Sequence, residues 1–229
     1  MSDDKKLESR SIGKLYAGER AIISMTSWRA RINTCSKTIF SLLQQCPGFH
    51  IVLVLSEEEF PLMEKELPEN LMLFVENELI EILWIYPNWK SFKKVLPTMD
   101  KYRDVPVISA DDDCIYTCNY AQTLYNKWVS LKKIKTAMRW NYRKEYIMCG
   151  AASLYYGFGH FAINIINSLS KETIKESNDD VTIGKFLEKQ NVPKTFYMKE
   201  NTFLPFKFHD VIEPLTKNQH ISYYKNCWM

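Results

Sequence analysis

The chain has 229 residues with 30 basic and 27 acidic side chains, and its formal net charge of +3 is too small to indicate a nucleic-acid partner by itself. Hydrophobic residues make up 46% of the sequence, which is enough for a buried core and excludes an intrinsically disordered protein. The polar N-terminus, MSDDKKLESRSIGKL, lacks the apolar core of a signal peptide, so we expect a cytoplasmic protein whose six cysteines are free thiols.

Strands and helices alternate in the first half of the chain. Four apolar runs predict strands, at Arg20–Trp28, His50–Ser56, Leu79–Asn88 and Val105–Ser109. The segments between them predict a helix at Asn33–Cys46, a short acidic helix or helical loop at Glu57–Pro68, and a helix kinked at Pro97 over Ser91–Tyr102. Alternation of this kind favours an α/β protein with a mostly parallel, Rossmann-type sheet and helices on both faces.

Three consecutive aspartates, Asp111–Asp113, directly follow the fourth predicted strand. Ligands of such sheets bind outside the carboxyl ends of the strands, where Ser24–Trp28 and Ser56 also stand. Carboxylate oxygens suit Mg²⁺ or Mn²⁺, which also bind substrate phosphates. The alternative is an aspartate-rich turn that caps the next helix. The triplet alone fits both interpretations.

Seven motifs follow one another along the chain. They are ISMTSWRARI at 23–32, SLLQQ at 41–45, LVLSEEEFP at 53–61, KKVLPTMDKYRD at 93–104, VISADDDCIY at 107–116, CGAASLYY at 149–156 and NDDVTIGKFLEKQNV at 178–192. In this order they resemble bacterial glycosyltransferases of the GT-A fold, which build surface polysaccharides and lipopolysaccharide. The resemblance covers roughly residues 20–195 and rests on the whole series, because an acidic triplet alone is common.

The resemblance implies a single glycosyltransferase domain over residues 1–229. It has an N-terminal extension at 1–19, a nucleotide-binding half at 20–113 and an acceptor-binding half at 114–229. The substrates would be a nucleotide-sugar donor and a glycan or lipid-linked acceptor, and the cofactor would be Mn²⁺ or Mg²⁺. A bound cation would neutralise the donor pyrophosphate and stabilise the departing nucleoside diphosphate.

Individual site residues follow from the same resemblance. The triplet is similar to the family's DXD motif, so Asp111 and Asp113 are expected to bind the metal. A third metal ligand is expected from the C-terminal tail, where His209 is preferred over His220. The residues expected to bind the donor are Thr26, Arg31, Lys94, Asp111 and Asp112.

A second acidic pair, Asp179 and Asp180, precedes the helical apolar pattern of Val181, Ile183 and Leu187. Acidic residues at a helix start can simply cap the helix and align with its dipole. The resemblance places this pair where inverting enzymes of the family keep a general base near the acceptor. A carboxylate within reach of the acceptor hydroxyl is suited to that role, and Asp180 is preferred over Asp179 by its position in the motif.

The segment Cys114–Lys144 contains seven basic residues and no acidic one, and tyrosines and tryptophans are interleaved with them. Such a segment suits the anionic inner face of a membrane, which would fit a lipid-linked acceptor. The alternative is a solvated face with buried aromatic residues. No apolar run approaches the roughly 18 residues of a membrane span, and a metal site at Cys114 and Cys118 has little support because no second cysteine pair accompanies them.

Two other functions remain open from the sequence. A nucleotidyltransferase that makes the sugar donor also needs carboxylate-held Mg²⁺, but we would expect a glycine-rich loop after its first strand, and SMTSWRARINT contains no glycine. A non-catalytic glycan-binding module would have little need for aspartates at both positions.

Overall fold

The computed structural model describes residues 18–45, 47–132, 136–139, 152–192, 195–196 and 207–208. Its strands are β1 Ala21–Thr26, β2 Phe49–Ser56, β3 Glu81–Ile85, β4 Val107–Ala110, β5 Cys114–Ile115, β6 Thr136–Arg139, β7 Ser153–Tyr156, β8 Thr195–Phe196 and β9 Lys207–Phe208. Its α-helices are α1 Cys35–Leu43, α2 Glu69–Glu76, α3 Leu96–Lys101, α4 Tyr120–Ser130, α5 Gly159–Asn167, α6 Lys171–Glu176 and α7 Asp179–Lys189. Two 3-10 turns lie at Met63–Glu66 and Lys90–Lys94.

One sheet of seven strands, in the order β3-β2-β1-β4-β7-β6-β8, forms the centre of the single α/β domain. The pairs β1–β2, β1–β4, β2–β3 and β6–β8 are parallel, whereas β7 is antiparallel to both β4 and β6. The predicted class, a mostly parallel sheet flanked by helices, is confirmed. The chain runs outward from β1 to β2 and β3 and then returns to the other side of β1 with β4, so the β1–β4 boundary is the switch point of the topology.

The two faces of the sheet are covered by different helices, as the nearly continuous apolar strands require. Ile23 and Met25 of β1 face one core, which also contains residues of α1, α2 and α4. Ile22 faces the other core, which contains residues of α3, α5 and α7. Alternate residues of one strand therefore enter opposite cores, and β1 is buried along almost its whole length.

The predicted helix over Ser91–Tyr102 is divided in two, which corrects the expectation of one kinked helix. The backbone leaves helical geometry at Val95 (φ −129°), between the 3-10 turn and α3. Pro97 lies in the first turn of α3, where a missing N–H breaks no helical hydrogen bond. Of the two alternatives for Glu57–Pro68, a short acidic helix or a helical loop, the structure has the loop, with one 3-10 turn at Met63–Glu66 after Pro61.

Close packing of α5 on α3 depends on Gly159. A Cβ at this position would lie 2.5 Å from the carbonyl oxygen of Met99 and 2.7 Å from the Cα of Arg103, both main-chain atoms of or next to α3. Any larger residue would push the two helices apart, and only Val95 separates α3 from the 3-10 turn that bears Lys94. Within the described residues, no helix has the length and apolar character needed to cross a membrane.

Candidate functional site

The carboxyl ends of β1 and β4 place the predicted site residues side by side. Ser24 pairs with Ser109 and Met25 with Ala110 in the parallel register of these strands, so the segments that follow them leave the sheet at the same edge. Asp111–Asp113 come after β4, and the turn containing Arg31 comes after β1. This is the switch point of the sheet, where open α/β folds bind ligands.

Arg31 contacts two of the three aspartates. Its Nη1 lies 2.9 Å from Oδ1 of Asp112 and 2.8 Å from Oδ2 of Asp113. Asp112 is buried, and its Oδ2 also accepts a hydrogen bond of 2.7 Å from the Ser27 hydroxyl. Burial raises the pKa of the Asp112 carboxyl, although Ser27 and Arg31 both act to lower it. Asp112 is therefore fixed to the β1 loop by Ser27 and Arg31, and Asp113 contacts the same guanidinium nitrogen, Nη1, as Asp112 does.

Lys94 connects the third aspartate to the second acidic pair. Its Nζ lies 2.7 Å from Oδ1 of Asp111 and 3.4 Å from Oδ2 of Asp179. The side chain of Lys94 is only 10% exposed. Burial acts to lower the pKa of Lys94, but Asp111, Asp179 and Asp180 together hold it well above its ordinary value. Lys94 is thus a buried ammonium ion between two carboxylate groups that are distant in the sequence.

The position of Lys94 is set by buried hydroxyl groups of the sheet and of α3. Ser24 of β1 donates a hydrogen bond of 2.5 Å to the carbonyl oxygen of Lys94, and its Oγ is 2.6 Å from the Thr98 hydroxyl. The preceding Lys93 is almost fully buried and forms an ion pair with Glu59. Two adjacent lysines therefore hold the 3-10 turn to the sheet edge, and only one of them contacts the aspartates.

The start of α7 brings the second acidic pair into the same site. The cap is Asn178, whose side-chain oxygen accepts a hydrogen bond of 3.1 Å from the Val181 amide, so the aspartates themselves are not the capping residues. Asp179 is buried against Lys94, and Asp180 is half-buried one position further along the helix. Both carboxylates also act to raise the pKa of the buried Tyr155 hydroxyl in β7, after burial itself.

Asp111, Asp113 and Cys114 form a group that could hold a metal ion, since their ligand atoms lie within 4.8 Å of one another. Burial and the neighbouring aspartates raise the pKa of the Cys114 thiol, which favours its protonated form. The donor set is then chiefly two carboxylates, which suits Mg²⁺ or Mn²⁺. When ionised, the five carboxylates of Asp111–Asp113, Asp179 and Asp180 exceed the charges of Arg31 and Lys94 by three, so a divalent cation would reduce the net negative charge of the site.

The remaining predicted site residues have different outcomes. Thr26 lies at the end of β1 as expected, but its hydroxyl donates a hydrogen bond of 2.7 Å to the Val54 carbonyl in β2 and so connects two strands. His209 and His220, the predicted sources of a third metal ligand, lie outside the described residues. The structure brings together Arg31, Lys94, Asp111–Asp113, Asp179 and Asp180.

Sequence reasoning missed two contacts of the triplet. Ser27 holds Asp112, and Cys114 places its thiol 3.6 Å from Oδ1 of Asp113. The signal for Ser27 was its place in the polar stretch after β1, directly following Thr26. For Cys114 the spacing to Cys118 gave no signal of this contact, since Cys114 belongs to β5 and Cys118 is exposed.

The basic segment is only partly described. Trp128 of α4 is buried and packs on Tyr125 and on Tyr156 of β7, so this tryptophan is a core residue and not a membrane-facing one. Lys127 and Lys132 are exposed. Lys133, Lys135, Trp140, Tyr142, Arg143 and Lys144, and the side chain of Arg139, lie outside the described residues.

Comparison with known proteins gives structural neighbours only. No protein-family model and no curated protein matches the chain. The mannosyltransferase PcManGT of Pyrobaculum calidifontis, solved in complex with GDP-Man and Mn²⁺, is similar with a TM-score of 0.51 and 11% identity over 89% of this chain and 59% of that one. The apo form of the glycosyltransferase GlyE of Streptococcus pneumoniae is similar with a TM-score of 0.50 and 13% identity over 79% of this chain and 45% of that one. The chain has the fold of these glycosyltransferases, and it spans about half of their length.

Proposed function

We propose that the chain is a metal-dependent glycosyltransferase that moves a sugar from a nucleotide-sugar donor to a glycan or lipid-linked acceptor. The observation that carries the proposal is the convergence of Asp111–Asp113, Arg31, Lys94 and the acidic start of α7 at the switch point of the sheet. A glycan-binding module has no need for this much buried charge, whereas transfer from a diphosphate needs both cations and carboxylates.

The donor diphosphate is expected to lie over the triplet. Arg31, which contacts Asp112 and Asp113, and Lys94, which contacts Asp111, are the two cations beside it. Asp111 and Asp113 would hold a divalent ion, which would supply the further positive charge that a departing diphosphate requires. Asp112, with its carboxylate held by Ser27 and Arg31, orients the loop and remains a candidate for contact with the donor.

Transfer with inversion at the anomeric carbon, which we propose here, needs a base at the acceptor. The acceptor hydroxyl oxygen attacks the anomeric carbon, the bond from that carbon to the diphosphate oxygen breaks, and the hydroxyl proton passes to a carboxylate. Asp179 is buried and paired with Lys94, which makes it a poor acceptor of this proton. We assign the proton to Asp180, which is more exposed at the same helix start.

The sequence resemblance supports a role in the synthesis of surface polysaccharide. We place the reaction in the synthesis of a bacterial surface polysaccharide at the inner face of the membrane, with hexose as the transferred sugar class. Peripheral contact with the membrane would come from the basic segment Cys114–Lys144, in which Lys127 and Lys132 are exposed. Each basic residue near an anionic surface contributes about 1 kcal/mol of attraction.

Incubation with a panel of uridine- and guanosine-diphosphate sugars tests the proposal. A glycosyltransferase should hydrolyse one of them slowly without an acceptor, and chelation of divalent ions should stop that hydrolysis. A nucleotidyltransferase would instead form a nucleotide sugar from a sugar phosphate and a nucleoside triphosphate. Binding of a glycan with no turnover of any donor would identify a non-catalytic module, and either of these results would refute the proposal.

A further inference from the structure

We infer that the ammonium group of Lys94 competes with the divalent cation for Asp111, and that cation loading transfers Lys94 from the aspartate to the anionic donor. The inference rests on the cation site of the proposed function and adds how that site is controlled. Lys94 is then more than a donor contact, because its release from Asp111 makes cation binding and diphosphate binding depend on each other.

The contact distances place Lys94 on a carboxylate that would hold the proposed metal. Its Nζ is 2.7 Å from Oδ1 of Asp111, and one carboxylate oxygen each of Asp111 and Asp113 and the Cys114 sulfur lie within 4.8 Å of one another. An ammonium ion and a divalent cation on the same carboxylate repel each other strongly. Cation binding must therefore displace Lys94 or use a less favourable set of atoms.

Lys94 has a second carboxylate partner, Asp179, with which it can stay paired after it leaves Asp111. Asp179, at the start of α7, is buried and lies 3.4 Å from Nζ, so Lys94 can leave Asp111 and still be paired with a carboxylate. A lysine side chain has a flexible stem of four carbons, which permits a short movement of the ammonium group. The main chain of Lys94 need not move, since Ser24 holds its carbonyl oxygen.

The neighbouring Lys93 shows that this pairing is particular to Lys94. Both lysines are buried in the same 3-10 turn, but Lys93 forms its ion pair with Glu59. Substitution of Lys93 removes a buried ammonium from the same turn without freeing an oxygen of Asp111. Lys93→Met is therefore a matched control for Lys94→Met.

Manganese binding in the absence of any nucleotide shows whether Lys94 competes with the cation for Asp111 or only supports the fold. The apparent affinity for a cation is proportional to the fraction of molecules in which the cation site is available. Removing a competing group from the site therefore raises the apparent affinity. We expect Lys94→Met and Lys94→Gln to bind Mn²⁺ about 10-fold more tightly than the wild type, if Lys94 leaves Asp111 free about a tenth of the time. Lys93→Met should bind Mn²⁺ as the wild type does. Loss of the electron paramagnetic resonance signal of free Mn²⁺, at about pH 8 to keep the aspartates ionised, measures this affinity.

Nucleotide binding should change in the opposite direction. With Mn²⁺ saturating, uridine or guanosine diphosphate should bind about 10-fold more weakly to the Lys94 variants, because a charge-assisted contact is lost. A lysine that only supported the fold would weaken both affinities on removal. Unchanged or weaker Mn²⁺ binding by folded Lys94 variants, with a wild type that does bind Mn²⁺, would overturn the exchange and leave the proposed function standing.

One further result completes the test. If neither the wild type nor the variants bind Mn²⁺, the metal site of the proposed function is refuted together with this inference.

Discussion

One isosteric substitution at each of the two aspartates at the start of α7 distinguishes their roles. Asp180→Asn removes a charge near the helix N-terminus, which contributes about 0.3–1 kcal/mol, equivalent to a fall of about 1–4 °C in Tm for a chain of this size. Its donor and Mn²⁺ affinities should change far less than its turnover, because Asp111 and Asp179 still pair with Lys94 although one charge that acts on Lys94 is lost. Its turnover should fall by about 10² to 10⁴, the usual contribution of a general base.

Asp179→Asn should give the reverse pattern. It leaves the buried Lys94 ammonium with one carboxylate, and the loss of such a charged contact costs about 1–2 kcal/mol when the distance is as long as 3.4 Å. Its Tm should therefore fall further than that of Asp180→Asn, while its turnover falls less. The assay is turnover at saturating donor, with a thermal melt of each variant. Near-normal turnover of Asp180→Asn together with a large loss for Asp179→Asn would refute the assignment of the base to Asp180.

Three other predictions concern different parts of the molecule. Asp113→Ala should abolish Mn²⁺-dependent binding of uridine or guanosine diphosphate in calorimetric titration without lowering Tm, and undiminished binding would remove the DXD assignment. Burial acts to raise the pKa of Glu81, but hydrogen bonds from His50, Lys101 and Tyr102 outweigh it and lower the pKa from 4.5 to about 2. A lowered pKa stabilises the fold above pH 4.5, and this stabilisation is lost as the pH falls toward 2. Glu81→Gln should therefore lower the free energy of unfolding by about 1–2 kcal/mol at neutral pH, after allowance for solvent screening, and denaturant titrations should show this loss shrinking as the pH falls from 4.5 toward 2. A loss that is independent of pH would show that the charge of Glu81 is not its cause. Replacing Lys132, Lys133 and Lys135 together by glutamine should weaken co-sedimentation with anionic vesicles, and a wild type that ignores such vesicles would end the membrane proposal.

Much of the architecture was predictable because the first four strands are continuous apolar runs. A run such as His50–Ser56 leaves little choice but a strand covered on both faces, and β2 indeed occupies Phe49–Ser56. The order of such strands in a parallel sheet brings their carboxyl ends to one edge, which is why the sequence alone could place the aspartate triplet at the edge where ligands of such sheets bind.

Other contacts were not predictable from local pattern. The hydroxyl of Thr26 could have faced the ligand edge or the neighbouring strand, and the sequence does not distinguish these directions; it bonds to Val54. The Lys94–Asp179 pair depends on how α7 packs on the 3-10 turn, which is a long-range property of the core. The division of the helix at Val95 was missed because periodicity continues through it, while Ser24 fixes the carbonyl oxygen of Lys94 just before it.

A crystal structure of the chain with Mn²⁺ and a nucleoside diphosphate tests the central claim most directly. The account predicts an anomalous peak for a manganese ion that is bound by the carboxylates of Asp111 and Asp113 and by an oxygen of the diphosphate. Arg31 and Lys94 should lie beside the phosphates. A nucleotide bound elsewhere, or a nucleotide at this edge with no metal between it and the triplet, would contradict it.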